Sequence, residues 1–137
     1  MNHSPPVDRP QKYLLVDDHA AFRQTVRDFL PGTPVEVFEC GDGGKALEAY
    51  AEYQPDWTLM DLQMAGKDGI SVTRSICLRH PGARIIILTQ HDSPELREQA
   101  RAAGAVAYVL KDRLKDLPAV ISSLSQDPSS NPNLEPG

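Results

Sequence analysis

The sequence predicts an α/β fold in which five parallel strands form one open, doubly wound sheet with five helices on its two faces. Three observations predict it. Short apolar runs alternate with segments whose apolar residues recur at helical spacing, and no repeat or charge block interrupts the pattern. Strand-then-helix alternation of this kind implies a parallel sheet covered on both sides. The length of 137 residues, 40% of them hydrophobic, suits one domain with a real core.

Residues 1–11 carry Pro5, Pro6 and Pro10 and read as a flexible lead-in to a domain over 12–125. The first strand covers about 12–17 around Tyr13-Leu14-Leu15-Val16. The first helix presents Phe22, Val26, Phe29 and Leu30 as an apolar stripe, and Pro31-Gly32-Thr33-Pro34 breaks it. Val35-Glu36-Val37-Phe38 is a short second strand, and Gly41-Asp42-Gly43-Gly44 a turn. The second helix carries Ala46, Leu47, Tyr50 and Ala51 and ends before Pro55. The third strand, Trp57-Thr58-Leu59-Met60, runs into Asp61, and Gln63 to Gly69 read as a loop. The third helix holds Ile70, Thr73, Ile76 and Cys77 and stops at His80-Pro81-Gly82.

The fourth strand covers about 84–89. Ser93 and Pro94 suit the N-cap and first turn of the fourth helix, and Gly104 its C-terminal cap. The fifth strand is about 106–110. The fifth helix is expected over about 113–125, with Leu114, Leu117, Val120, Ile121 and Leu124 on its buried face; Pro118 is a place where it would start instead. The stretch 126–137 holds Pro128, Pro132 and Pro136 among Ser and Asn and reads as a disordered tail or the start of a linker.

Net charge is −5 and the pI near 5.3, which argues against nucleic-acid binding by this chain, since that usually needs a basic face. No apolar stretch is long enough for a membrane span, and Met1-Asn2-His3-Ser4-Pro5-Pro6 lacks a signal peptide's charged start and apolar core, so a cytoplasmic location is expected. Cys40 and Cys77 stand outside any metal-ligand spacing and read as reduced, small apolar residues.

Four apolar runs end in polar groups: Asp17-Asp18, Asp61, Thr89 and Lys111. An open parallel sheet forms its ligand crevice at the carboxyl ends of its strands, so these groups gather there. Clustered carboxylates repel unless a cation lies between them. Mg²⁺ takes oxygen ligands, keeps some waters and bridges to phosphate. A carboxylate oxygen then serves as nucleophile toward phosphorus, Lys111 as a point charge for a phosphoryl oxygen and Thr89 as a hydroxyl donor to another. Each residue also has a plainer role: Asp18 as an N-cap, Asp61 as a turn former, Thr89 as a strand residue, Lys111 as a surface charge.

Taken in order and spacing, Leu14-Leu15-Val16-Asp17-Asp18-His19, Leu59-Met60-Asp61-Leu62-Gln63-Met64 with Asp68-Gly69, Ile87-Leu88-Thr89 and Ala107-Tyr108-Val109-Leu110-Lys111 resemble the receiver domain of bacterial response regulators, from about Tyr13 to Leu124. The resemblance implies a flavodoxin-like strand order 2-1-3-4-5. It implies Asp61 as phosphoacceptor, Mg²⁺ on Asp17, Asp18, Asp61 and the Gln63 backbone carbonyl, Thr89 and Lys111 on the phosphoryl oxygens, and Thr89 with the Tyr108 aromatic as the switch. A sensor histidine kinase or phosphotransfer protein would be the partner. The mixed charges Glu95, Arg97, Glu98, Arg101 and Lys115 would face a protein, or a second copy through the fourth helix, fifth strand and fifth helix. Ala65 stands where the family often has proline, Gln90 with His91 where it has a small residue, and Asp112 where it often has proline. The Asp112 variant looks like receivers found ahead of helix-turn-helix domains.

Two other classes compete. An aspartate-nucleophile phosphohydrolase of haloacid-dehalogenase type needs Asp-x-Asp on its first strand, whereas this strand ends Asp17-Asp18-His19. A receiver-like binding module that lost phosphorylation has only the bulky Gln90 in its favour. A nucleotide-binding domain lacks the Gly-rich loop after the first strand.

Overall fold

The computed structural model describes residues 10–64 and 67–126. Of the lead-in expected over 1–11, residues 1–9 lie outside the described residues and Gln11 already belongs to the first strand; of the tail expected over 126–137, residues 127–137 lie outside and Gln126 ends the last helix; Ala65 lies outside as well. Five strands form the main sheet: β1 (Gln11–Val16), β2 (Val35–Cys40), β3 (Trp57–Asp61), β6 (Ile85–Thr89) and β7 (Ala107–Leu110). All pair in parallel, in the order β2-β1-β3-β6-β7. Two further short strands, β4 (Gln63–Met64) and β5 (Lys67–Asp68), pair antiparallel in the connection after β3. Counting only the main sheet, this is the expected 2-1-3-4-5 order. The helices are α1 (Ala20–Arg27), α2 (Ala46–Tyr53), α3 (Gly69–Arg79), α4 (Pro94–Ala103) and α5 (Leu117–Gln126).

Side chains alternate across the sheet, so each strand feeds two cores. Leu14, Val16, Met60, Ile85 and Ile87 point to one face, where Tyr50, Ile76, Ala100 and Ala103 from α2, α3 and α4 cover them. Tyr13, Leu15, Trp57, Leu59, Ile86 and Leu88 point to the other, under Val26 of α1 and Leu117 and Ile121 of α5. Every residue of β3 and β6 is buried, as expected of central strands in a parallel sheet. Each large apolar side chain removed from water contributes roughly 1.5–3 kcal/mol.

The helix boundaries follow local chemistry. Ser93 Oγ accepts from the Leu96 N–H at 3.2 Å, with Pro94 in the first turn. Gly104 closes α4 at φ 114°, and a side chain there would meet Cys77 Sγ at 2.7 Å. Four expectations are corrected. The first helix ends at Arg27, so Phe29 and Leu30 pack against the core from the turn that follows. The second strand extends to Cys40. The loop after Asp61 contains the β4–β5 hairpin. Residues Lys111–Asp116 form a 3-10 turn, with Arg113 at non-helical angles, and α5 begins only at Leu117, beside Pro118. No helix among the described residues is long and apolar enough to cross a membrane.

Candidate functional site

Parallel strands put all their carboxyl ends on one edge, and the chemistry gathers there. Asp17 follows β1, Asp61 ends β3, Thr89 ends β6 and Lys111 follows β7. Asp17 is held from several sides. Its N–H donates to the Cys40 carbonyl at 3.0 Å, and its carbonyl accepts from the Arg23 guanidinium. Its Oδ1 accepts from the His19 N–H at 2.8 Å, and its Oδ2 from Lys111 Nζ at 3.0 Å. Arg23 is itself fixed by Glu39 at 2.6 Å, and Arg27 binds the same carboxylate at 2.7 Å. The two guanidiniums hold the Glu39 carboxyl below the usual range.

Asp61 is buried beside these groups. Lys111 Nζ lies 3.3 Å from its Oδ1, so one ammonium bridges Asp17 and Asp61. Lys111 also sits 4.3 Å above the Phe22 ring, which fixes its position by a cation–π contact. The Gln63 N–H approaches Asp61 Oδ1 at 3.4 Å. Burial, and then the neighbouring Asp17, push the Asp61 carboxyl up despite Lys111. Its Oδ2 is buried without a hydrogen-bond partner among the described residues. Asp18 does not cap α1; that position is His19. Donor atoms of Asp17, Asp18, His19 and Asp61 all lie within 4.8 Å of one another. Three carboxylates against one ammonium leave a deficit of positive charge that one divalent ion closes, and the unsatisfied oxygen of Asp61 gives it a ligand. The donor set therefore fits Mg²⁺.

Thr89 and Tyr108 meet through His91. The Thr89 Oγ1 accepts from the His91 N–H at 3.2 Å, and the Tyr108 hydroxyl donates to the His91 carbonyl at 2.7 Å. Arg97 lies 4.4 Å over the Tyr108 ring and pairs with Asp92 at 3.0 Å. The His91 ring reaches Gln63 Oε1 at 3.1 Å, closing a bridge between the connections after β3 and β6.

Of the residues predicted from sequence, Asp17, Asp18, Asp61 and Lys111 converge on one pocket, while Thr89, Tyr108 and Gln63 join a chain of contacts centred on His91. Sequence reasoning missed Arg23 and Glu39, which brace Asp17 from α1 and β2, and the seat that Phe22 gives Lys111. It also missed how tightly Gly69 covers the site: a Cβ there would lie 2.1 Å from the Asp61 carbonyl oxygen. The Asp68-Gly69 pair was the available signal.

The comparisons agree with this geometry. The chain belongs to the response regulator receiver domain family, whose model matches residues 13–122. It is 37% identical over 119 residues to the chemotaxis protein CheY of Halobacterium salinarum, a match covering 84% of this chain and 94% of that one. It is 38% identical over 102 residues to the transcriptional regulatory protein LiaR of Bacillus subtilis, covering 73% of this chain and 48% of that one. The match to DegU of Brevibacillus brevis is 35% identical over 101 residues and covers 72% of this chain and 43% of that protein. The chain thus spans about half the length of these two transcriptional relatives. Among solved structures, the receiver domain of a NarL response regulator from Mycobacterium tuberculosis superimposes with a TM-score of 0.75 at 32% identity, covering 85% of this chain and 97% of that one. The protein is a two-component receiver domain, and the phosphohydrolase and nucleotide-binding readings are set aside.

Proposed function

We propose that this receiver accepts a phosphoryl group on Asp61 and passes the change to a protein-binding face. The observation that carries the proposal is Asp61 itself: a buried carboxylate with one oxygen beside Lys111 and the other without a hydrogen-bond partner among the described residues, at the end of the central strand. An Asp61 oxygen attacks phosphorus of the donor, and the bond to the donor's leaving group breaks with its electrons leaving on that group. Lys111 offers a charge for one phosphoryl oxygen, and the Thr89 hydroxyl a hydrogen bond for another. Asp17, Asp18 and Asp61, with the Gln63 carbonyl, would hold Mg²⁺, which neutralises the charge that builds on the phosphoryl oxygens. Chemistry beyond gain and loss of phosphate is not part of the proposal.

The donor in this reading is a sensor histidine kinase or a phosphotransfer protein, met in the cytoplasm. The output face is α4, β7 and α5, with Glu95, Arg97, Glu98 and Arg101 on α4 and Lys115 on the 3-10 turn that leads into α5, and it is where a second copy would dock. The functional unit is residues 12–125. The test is incubation with acetyl phosphate and Mg²⁺, read by intact mass. Wild type should gain one acid-stable, base-labile phosphoryl group, and Asp61→Asn none. Phosphate of unchanged mass and lability on Asp61→Asn would overturn the assignment.

A further inference from the structure

The phosphoryl site is anchored from outside the pocket. Helix α1 carries Phe22 and Arg23 side by side, and each holds a different group of the site. Lys111 Nζ sits 4.3 Å above the Phe22 ring. The Arg23 guanidinium donates through Nη1 to the Asp17 carbonyl and through Nε to Glu39 Oε1 at 2.6 Å. Glu39 belongs to the edge strand β2, and its Oε2 accepts from Arg27 at 2.7 and 3.0 Å. The contacts form a chain into the pocket. Glu39 holds Arg23, Arg23 holds Asp17, and Asp17 Oδ2 holds Lys111 Nζ at 3.0 Å. That ammonium stands 3.3 Å from Asp61 Oδ1.

We infer that Arg23 is a positioning residue for phosphoryl transfer: fixed by Glu39, it sets the Asp17–Lys111 pair and so the place of the ammonium beside Asp61. The inference rests on reading Asp61 as the phosphoacceptor. Three observations carry it. The Arg23 side chain is 16% exposed against 38% for Arg27, so the two partners of Glu39 differ in kind. An exposed pair contributes little, whereas a guanidinium withdrawn from water needs its donors bonded. Second, the chain leaves a slot for that guanidinium: a Cβ at Gly41 would lie 3.2 Å from Arg23 Nη1 and 3.9 Å from the Asp17 carbonyl oxygen. Third, the Asp17 N–H donates to the Cys40 carbonyl at 3.0 Å while its own carbonyl accepts from Arg23. The peptide groups on both sides of its Cα are thus fixed, and the carboxylate keeps only its side-chain torsions.

The residue type matters. Arginine's planar fork serves a carboxylate and a carbonyl at once, and a lysine's point charge lacks that geometry. Without Arg23 the Asp17 carbonyl loses its partner and the peptide is free to turn. Lys111 would then follow the Asp17 carboxylate away from Asp61. Phosphoryl transfer depends on positioning and charge placement above all, so a displaced ammonium slows it.

The experiment compares the full chain with Arg23→Met, Glu39→Ala and Arg27→Met, folding checked by circular dichroism. Each is incubated with acetyl phosphate at a Mg²⁺ concentration beyond which the rate no longer rises, and phosphate uptake is followed by intact mass. Separately, with no phosphodonor present, ¹H–¹⁵N spectra record the Lys111 ammonium, whose signal survives proton exchange only while ion pairs hold it. Arg23→Met should take up phosphate roughly tenfold to 100-fold more slowly, the cost of a misplacement of about 1 Å, and should lose the Lys111 signal. Arg27→Met removes a guanidinium from the same Glu39 carboxylate but none from Asp17, so it should keep the wild-type rate and signal. A wild-type rate, or an intact Lys111 signal, in Arg23→Met would overturn the inference. Equal losses in Arg23→Met and Arg27→Met would overturn it too, marking an ion-pair cluster that only stabilises the fold. Glu39→Ala unties the guanidinium without touching Asp17 and decides by the same two readouts if Arg23→Met does not fold. If wild type takes up no phosphate, the phosphoacceptor reading falls, and the Lys111 signal decides whether Arg23 positions the pair.

Discussion

Gly69→Ala is the substitution for which the structure sets the size of the effect most directly. A Cβ at residue 69 would sit 2.1 Å from the Asp61 carbonyl oxygen, 2.8 Å from Leu62 Cα and 3.0 Å from the Asp61 carbonyl carbon. All three are backbone atoms, so no rotamer change relieves the clash. The Gly69 N–H also donates to the Leu62 carbonyl at 2.9 Å, tying the start of α3 to the end of β3. Overpacking typically costs about 1–3 kcal/mol, and this contact, having only backbone to push against, belongs at the top of that range. At roughly 4 °C per kcal/mol for a domain of this size, the melting temperature should fall by about 12 °C. Gly82→Ala is the matched control: nothing among the described residues lies within 4 Å of a Cβ there, so the change should be neutral or stabilise by about 0.4–1 kcal/mol through the unfolded chain. Gly43→Ala should fall between them, because it meets Lys67 and Met64 side-chain atoms of the hairpin at 2.8 and 3.0 Å. Thermal unfolding by circular dichroism measures all three. Equal midpoints for Gly69→Ala and Gly82→Ala would refute the claim that the α3 start is locked onto the Asp61 backbone.

Asp61→Asn should raise the melting temperature at neutral pH. The carboxyl is pushed up in the folded state by burial and Asp17, so ionising it costs the folded state more than the unfolded one. That cost grows as pH rises from the ordinary carboxylate range through the raised value; the Asn variant's advantage should therefore vanish as pH falls through the same window, and an advantage that persists at the acid end would contradict the cause. Mg²⁺ should stabilise wild type by about 2.7 kcal/mol at roughly 100 times its dissociation constant; an undiminished response in the Asp17→Asn, Asp18→Asn double variant would exclude those carboxylates as ligands. Gln63→Ala and His91→Ala should each change the phosphoryl half-life without preventing phosphorylation, since the two side chains bridge at 3.1 Å across the mouth of the site; half-lives equal to wild type would make them inert loop residues.

Much of the fold was legible because its signals are local. Apolar runs such as Ile85-Ile86-Ile87-Leu88 specify buried strands, and Ser93-Pro94 with Gly104 specify both ends of a helix. The site was legible because parallel strands bring their ends together whatever the intervening sequence. The misplacements arose where local signals conflict with packing. Phe29 and Leu30 keep helical spacing with Val26, yet the chain turns after Arg27 and packs them, half-buried, against the core from outside the helix. Leu114 fits the stripe of the last helix, but Lys111–Asp116 wind as a 3-10 turn that brings Lys111 over Phe22. The bracing of Asp17 by Arg23 and Glu39 joins residues 16 apart between Arg23 and Glu39 on separate elements, and spacing alone carries no trace of such a contact.

His91 gives the proposed switch a physical joint. Its N–H is bound to the Thr89 hydroxyl, its carbonyl to the Tyr108 hydroxyl, and its ring to Gln63 beside Asp61. Under the proposal, a phosphoryl group that draws the Thr89 hydroxyl toward Asp61 pulls its oxygen away from the His91 N–H that it accepts from. Moving that residue disturbs the bond that holds Tyr108, and with it the ring on which Arg97 stacks. A ligand shifts a two-state equilibrium only by its differential contacts with the two states. Here those contacts are specific: the Thr89 and Tyr108 hydrogen bonds to one residue's backbone, and the Arg97–Asp92 pair that frames the ring. Under that proposal the coupling would cross from the pocket to α4 through His91, whose ring also bonds Gln63, so the lifetime of the signal and its transmission would share one structural element.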